Sequence, residues 1–250
     1  MKPVTTCQYG KHTVYTYDSA TALKMAATEH IAQHAVSEST KKPVFSMALS
    51  GGSTPVDIYK GLVTEQWLQA FPWKQSSFVF GDERYVPHDH KQSNYKMAMQ
   101  AFLEKAPLDE NQVYPVPTDC EHPNDCAEMY EQQLKEALAT DGTLEIDLVL
   151  LGMGDDGHTA SLFPDTDILN ESESAFAAVY VEKLDGWRIS MTLPCLNNAR
   201  QIMVLVSGEA KAAVLADVLL SDEKKYPIQL IDNPHGLLWF IDQAAASQLK

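Results

Sequence analysis

The residues best suited to chemistry gather in one run, Gly152-Met153-Gly154-Asp155-Asp156-Gly157-His158-Thr159, directly after the apolar stretch 146–151. Histidine changes charge near neutral pH, and a neutral imidazole can take a proton from water. A carboxylate two positions away can orient that ring, so Asp156 and His158 form the expected catalytic pair. A structural histidine is the competing reading. Its place at the carboxyl end of a strand, between glycines and beside two carboxylates, favours catalysis. The run also satisfies G-x-G-x-x-G through Gly152, Gly154 and Gly157, the pattern of a dinucleotide loop. Against that, Asp155 and Asp156 would face a pyrophosphate, Pro164 cuts the required helix short, and 170–174 is polar where a strand ending in an acidic residue should lie.

Three further loops follow apolar runs. Ser50-Gly51-Gly52-Ser53-Thr54-Pro55 offers two glycines for close backbone approach, two hydroxyls and the free N–H groups of a helix start, which together favour an anion. No G-K-[ST] follows, so it is not a nucleoside triphosphate loop, and an ordinary capped turn is the plainer alternative. Gly81-Asp82-Glu83-Arg84 places one of only three arginines (Arg84, Arg188, Arg200) where a buried strand emerges, suited to an anion or a developing oxyanion. Lys211, in Ser207-Gly208-Glu209-Ala210-Lys211, falls in the first turn of a helix, where the macrodipole disfavours a cation without an anionic partner. A bound phosphate would supply one; a surface lysine is the alternative. His88-Asp89-His90 lacks a third ligand at a recognisable spacing, and no metal is expected. There is no G-x-S-x-G elbow and no basic neighbour in sequence for Cys195, so water is a more economical nucleophile than a side chain.

The elements that must position these loops are legible as an alternation. Apolar runs at 44–49, 77–80, 146–151, 189–193, 202–206, 228–231 and 237–241 read as buried strands. Helical periodicity fills 20–36, behind the caps Asp18 and Ser19, with Leu23, Ala26, Ala27, His30, Ile31 and His34 on one face. Other helices start after Pro55, Ser93, Asp125 and Gly208. The alternation implies an α/β fold, a Rossmann-like, doubly wound, mostly parallel sheet with helices on both faces, forming a single domain over residues 1–250. Ligands of such sheets bind beyond the strands' carboxyl ends, where the four loops fall.

Composition narrows the partners. Nineteen basic against 34 acidic residues give a net charge of -15, which repels nucleic acid and anionic membrane surfaces. No run approaches the roughly 20 apolar residues of a membrane span, and the N-terminus has no apolar signal core. Four cysteines (Cys7, Cys120, Cys126, Cys195) without C-x-x-C spacing are too sparse for a disulfide framework and fit a reducing, cytoplasmic setting.

In this order the loops resemble the 6-phosphogluconolactonase family, within the superfamily that also holds the glucosamine-6-phosphate deaminases. Ser50-Gly51-Gly52-Ser53-Thr54-Pro55, Gly81-Asp82-Glu83-Arg84, Ser93-Asn94-Tyr95 and Asp156-Gly157-His158-Thr159-Ala160-Ser161-Leu162-Phe163-Pro164 carry the resemblance, which extends from about residue 44 to the segment 235–242. It implies ring-opening hydrolysis of 6-phospho-D-glucono-1,5-lactone to 6-phosphogluconate in the oxidative pentose phosphate pathway, by a monomer or homodimer needing no cofactor or metal. The deaminases typically carry a glutamate five positions after the histidine; here that position is Phe163. Asp82 aligns with their enolisation base and keeps a place in the site without that role. The expected assignment is His158 as base with Asp156 orienting it and Arg84 at the oxyanion. Gly51, Gly52, Ser53, Thr54, Lys211 and Arg188 form the phosphate end, with the two arginines exchangeable. A deaminase-like isomerase and a non-catalytic sugar-phosphate sensor are the alternatives.

Overall fold

The computed structural model describes residues 1–139 and 142–249. Its strands are β1 (Thr5–Tyr9), β2 (His12–Tyr17), β3 (Phe45–Leu49), β4 (Ser76–Phe80), β5 (Asp82–Arg84), β6 (Leu148–Gly152), β7 (Phe176–Val181), β8 (Gly186–Met191), β9 (Ile202–Val206) and β10 (Leu237–Asp242). The helices are α1 (Ala20–Ser39), α2 (Ser53–Leu62), α3 (Glu65–Ala70), α4 (Asn94–Ala101), α5 (Pro123–Leu138), α6 (Leu193–Asn197) and α7 (Ala212–Leu220). Seven strands form one sheet in the order β1-β2-β10-β9-β6-β3-β4, parallel throughout except for the β1–β2 hairpin. The chain steps outward from β3 to β4 on one side, and from β6 through β9 to β10 on the other. This is the doubly wound α/β plan the alternation implied.

The central strands are apolar along their whole length because both faces are covered. Every residue of β3, β4 and β9 is buried. The Ser19 hydroxyl caps α1 by accepting the Ala22 N–H, and the helix buries Leu23, Ala26, Ala27, Ile31, Ala32 and Ala35. His30 and His34 stack at 6.2 Å and pack against Phe240 and Phe45; burial lowers the pKa of both. They belong to the core.

Two strand expectations fail. Residues 228–231 contain a 3₁₀ helix, Pro227–Leu230, not a strand: Pro227 lacks the N–H a ladder needs, and a four-residue apolar run does not distinguish strand from helix. Of the run 189–193, Thr192 caps α6 and Leu193 begins it, while residues 189–191 end β8, outside the parallel sheet, in a separate antiparallel sheet ordered β5-β8-β7. Its register sets Arg84 opposite Arg188 and Asp82 opposite Ser190. The cysteines also depart from expectation, because Cys120 and Cys126 form a disulfide. It is one local bridge, made as the start of α5 brings Cys126 back to the preceding loop with the two Cα atoms 5.7 Å apart. Cys7 is exposed and free, and Cys195 is free and buried. Among the described residues no helix is long and apolar enough to cross a membrane.

Candidate active site

Four neighbouring strands, β9, β6, β3 and β4, deliver four loops to one edge of the large sheet, and the small sheet stands beside it. Between them is a cavity of about 390 Å³. Gly51, Gly52, Ser53, Thr54, Asp82, Arg84, His158, Arg188 and Lys211 all line it. Of the residues assigned to the site from the sequence, Asp156 alone does not; it bonds His158 and lines a second cavity.

At the β3 end the site is built from backbone. The buried Tyr59 hydroxyl braces the turn, donating to the Ser50 carbonyl (2.9 Å) and accepting the Ser50 N–H (2.8 Å). Gly51 crosses directly over the Asn94 side chain, where a Cβ would collide with the amide. α2 starts at Ser53, and no side chain caps its first turn. Its free N–H groups and the positive end of its dipole are therefore available to an anion. Lys211 comes from the β9 loop and bonds the Asp155 carboxylate, which is 78% exposed. Lys211 closes a 3₁₀ turn, Glu209–Lys211, just ahead of α7 and not in its first turn, and its anionic partner in this structure is Asp155. That bond holds the Asp155 pKa below its usual value.

The β6 end is built from side chains. Asp156 Oδ1 accepts a hydrogen bond from His158 Nδ1 at 2.5 Å. A carboxylate only accepts, so Nδ1 carries the proton and the neutral ring keeps its lone pair on Nε2. Gly154 permits this pairing, because a Cβ there would strike the imidazole. The loop is pinned by Gly154 N–H to the His158 carbonyl (2.9 Å) and by Thr159 Oγ1 to the Gly152 carbonyl (2.8 Å). Burial alone would push the Asp156 carboxyl up, but hydrogen bonds from Lys183 and His158 outweigh it and hold the group well below the usual carboxylate range. On the other side of the imidazole lies Phe163, stacked at 4.0 Å between ring centroids. The imidazole face thus packs on an apolar ring.

The small sheet supplies the two arginines. The Arg188 guanidinium lies 5.6 Å from the Phe163 ring, 3.7 Å from Asp82 Oδ2 and 3.4 Å from Ser161 Oγ. Burial lowers its pKa from an ordinary value so high that the group stays charged. Asp82 is buried, accepting from Ser161 Oγ (2.7 Å) and Asn94 Nδ2 (3.3 Å). Arg84 donates to the Gln92 carbonyl at 2.5 Å, while its Nε is buried without a partner among the described residues.

Several residues here were given no role from the sequence. Glu83, 1% exposed, accepts from Ser93 Oγ and from the backbone N–H groups of Arg84, Asn94 and Tyr95, so it caps α4 and fixes the strand that carries Arg84. Burial, opposed by those bonds, raises its pKa. A buried acid following a strand and a Ser-Asn pair ten residues on were the available signs. Ser161 was visible only as part of the 156–164 run, and Lys183 gave no sign. His88 bonds the Val116 carbonyl, and His90 Nδ1 accepts the Gln92 N–H, so the two are engaged separately. Among the described residues the grouping with metal-ligand proximity is Asp119, Cys120 and Cys126, whose sulfurs are joined to each other.

Comparison with known proteins agrees with this geometry. Residues 18–239 match the family described as glucosamine-6-phosphate isomerases/6-phosphogluconolactonase. A 6-phosphogluconolactonase of Synechocystis sp. is 37% identical over 210 residues, 82% of this chain and 85% of that protein. The human 6-phosphogluconolactonase is 36% identical over 82% of this chain and 81% of its own length. The solved 6-phosphogluconolactonase of Trypanosoma cruzi superposes with a TM-score of 0.83 at 30% identity, covering 95% of this chain and 96% of that one. A monomeric glucosamine-6-phosphate deaminase shares the fold, with a TM-score of 0.80 at 18% identity over 94% of this chain and 99% of that one. The chain belongs to the glucosamine-6-phosphate isomerase/6-phosphogluconolactonase family.

Proposed function

We propose that this protein hydrolyses 6-phospho-D-glucono-1,5-lactone to 6-phosphogluconate, the ring-opening step of the oxidative pentose phosphate pathway, as a cytoplasmic enzyme. The phosphate sits on the open N–H groups of Gly52, Ser53 and Thr54, with Lys211 released from Asp155 to meet it and Arg84 in support. His158 Nε2 takes a proton from water as the water oxygen attacks the lactone carbonyl carbon. Arg188 meets the oxyanion of the tetrahedral intermediate. The imidazolium, stabilised by Asp156, then returns the proton to the ring oxygen as the carbon–oxygen bond breaks, leaving a carboxylic acid that ionises in water. Arg188 is assigned to this end because its guanidinium and the His158 ring approach the same Phe163 ring. Asp82 and Ser161 hold Arg188 in place. Loops from Gly51 to Lys211 contribute to one cavity, which supports reading residues 1–250 as a single domain.

The observation that carries the reading is the histidine with a carboxylate on Nδ1 and an apolar ring, not a second carboxylate, against its face. Opening and isomerising an aminosugar ring needs further proton transfers at that position; hydrolysis of an activated acyl carbon does not. Hydrolysis of freshly generated 6-phosphogluconolactone, measured beside ammonia release from glucosamine 6-phosphate, tests it. Rapid lactone hydrolysis without ammonia is expected. Robust deamination would assign the other activity, and product binding without turnover would make the protein a sensor.

A further inference from the structure

The β7–β8 hairpin turns through a 3₁₀ helix, Glu182–Leu184, and Asp185 in a left-handed conformation. From this turn Lys183 reaches back to the His158 loop and bonds Asp156 Oδ2, while Asp156 Oδ1 holds His158 Nδ1. The lysine ammonium also lies 5.8 Å from the centre of the Phe163 ring, the ring stacked on the imidazole. Lys183, Asp156 and Phe163 all line a cavity of about 630 Å³ behind the site, and Lys183 does not line the catalytic cavity.

We infer that Lys183 is a positioning residue for the reaction, acting through Asp156 on the protonation of His158. This rests on the proposed role of His158 as base. A carboxylate shared between an ammonium and an imidazole offers the imidazole less negative charge than one serving the imidazole alone. With Lys183 in place, Asp156 still fixes the tautomer, yet it stabilises imidazolium less, and more of the enzyme keeps the neutral base at a given pH. The lysine also fixes the carboxylate plane, so that one oxygen faces the histidine.

The other charges near this chain are accounted for. Asp155, adjacent in sequence, is paired with Lys211. Arg188 faces the Phe163 ring and is tied to Asp82. Asp165, Asp167 and Glu182 share the rear cavity with Asp156 and add negative potential there, which the Lys183 ammonium offsets. Arg84 lines the catalytic cavity, sits opposite Arg188 in the β5–β8 pairing and donates to the Gln92 carbonyl. Among the described residues Lys183 is the cation bonded to Asp156.

The test compares Lys183→Met, which keeps the length and removes the charge, with Lys183→Arg, which keeps the charge. The side chain is 61% exposed, so its influence is that of a partly screened charge. In Lys183→Met the acid limb of kcat/KM should move to higher pH by about 0.3–0.7 unit, with kcat on the plateau changed less than threefold. The displacement should shrink in about 1 M salt, and Lys183→Arg should restore the wild-type profile. The His158 imidazole, followed by NMR titration and assigned from a His158→Gln spectrum, should move in the same direction. This second readout does not depend on turnover: if the wild type hydrolyses no lactone, the proposed function fails while the titration still decides the role of Lys183. Superimposable titrations of the wild type and Lys183→Met, or a uniform loss of activity at every pH, would overturn the inference.

Discussion

The two ends of the catalytic cavity are made from different materials. The end beneath β3 presents main chain, the N–H groups of Gly52, Ser53 and Thr54 at an uncapped helix start, braced by Tyr59. The end beneath β6 presents side chains, His158, Arg188 and Asp82, each bonded to a partner. The difference matches what each end must do. A phosphate has the same charge in substrate, transition state and product, so it asks for uniform binding that locates the ring. The lactone carbonyl gains and loses charge during the reaction, and that end must hold protons and dipoles in place beforehand.

If the division of labour is right, substitutions at the two ends should separate kcat from binding. The largest effect belongs to His158→Gln, which should lower kcat by roughly 10²- to 10⁴-fold while leaving 6-phosphogluconate affinity within about threefold. Arg188→Met comes next, with kcat reduced by about 10²-fold, the lower range for removing one oxyanion donor, and a smaller change in KM. If Arg188→Met instead raises KM with kcat intact, Arg188 serves the phosphate and Arg84 the carbonyl.

At the backbone end Lys211→Ala should weaken 6-phosphogluconate by roughly 10-fold and leave unphosphorylated gluconate unchanged, as calorimetry would show. The effect sits at the low end for a charge-assisted bond, because Lys211 gives up Asp155 to bind phosphate. Equal weakening of both ligands would remove Lys211 from the anchor.

Sequence reading went furthest where one segment carries both its own geometry and its chemistry. The run from Gly152 to His158 holds the turn, the histidine and the orienting carboxylate within seven residues, and the glycine at 154 is required by the ring it faces. The main parallel strands were legible because burial on both faces makes them continuously apolar. The small sheet was not. β5 is Asp82-Glu83-Arg84, three charged residues that pair only because β8 is brought alongside, and no local pattern announces a strand of charges. Arg188 was chosen as a scarce cation, but its tie to Asp82 and its approach to Phe163 depend on that pairing. Lys183 bonds a residue 27 positions earlier in the chain, a distance over which spacing carries no information.

The smallest expected effect lies outside both ends. Burial pushes the Cys195 thiol up to about 12, so it holds its proton at neutral pH and is a poor nucleophile. Cys195→Ser should keep kcat within about twofold, and in the folded protein iodoacetamide should label the exposed Cys7 ahead of Cys195. Loss of activity on labelling Cys195 alone would reopen a covalent route.

The central claim is that a neutral His158 activates water, and the pH dependence of kcat/KM on fresh 6-phosphogluconolactone, corrected for spontaneous hydrolysis, tests it most directly. The wild type should lose activity toward acid pH with the slope of a single proton, because the imidazolium cannot accept another. The residual activity of His158→Gln should lack that limb. A His158→Gln enzyme with near wild-type turnover and the same acid limb would contradict the account.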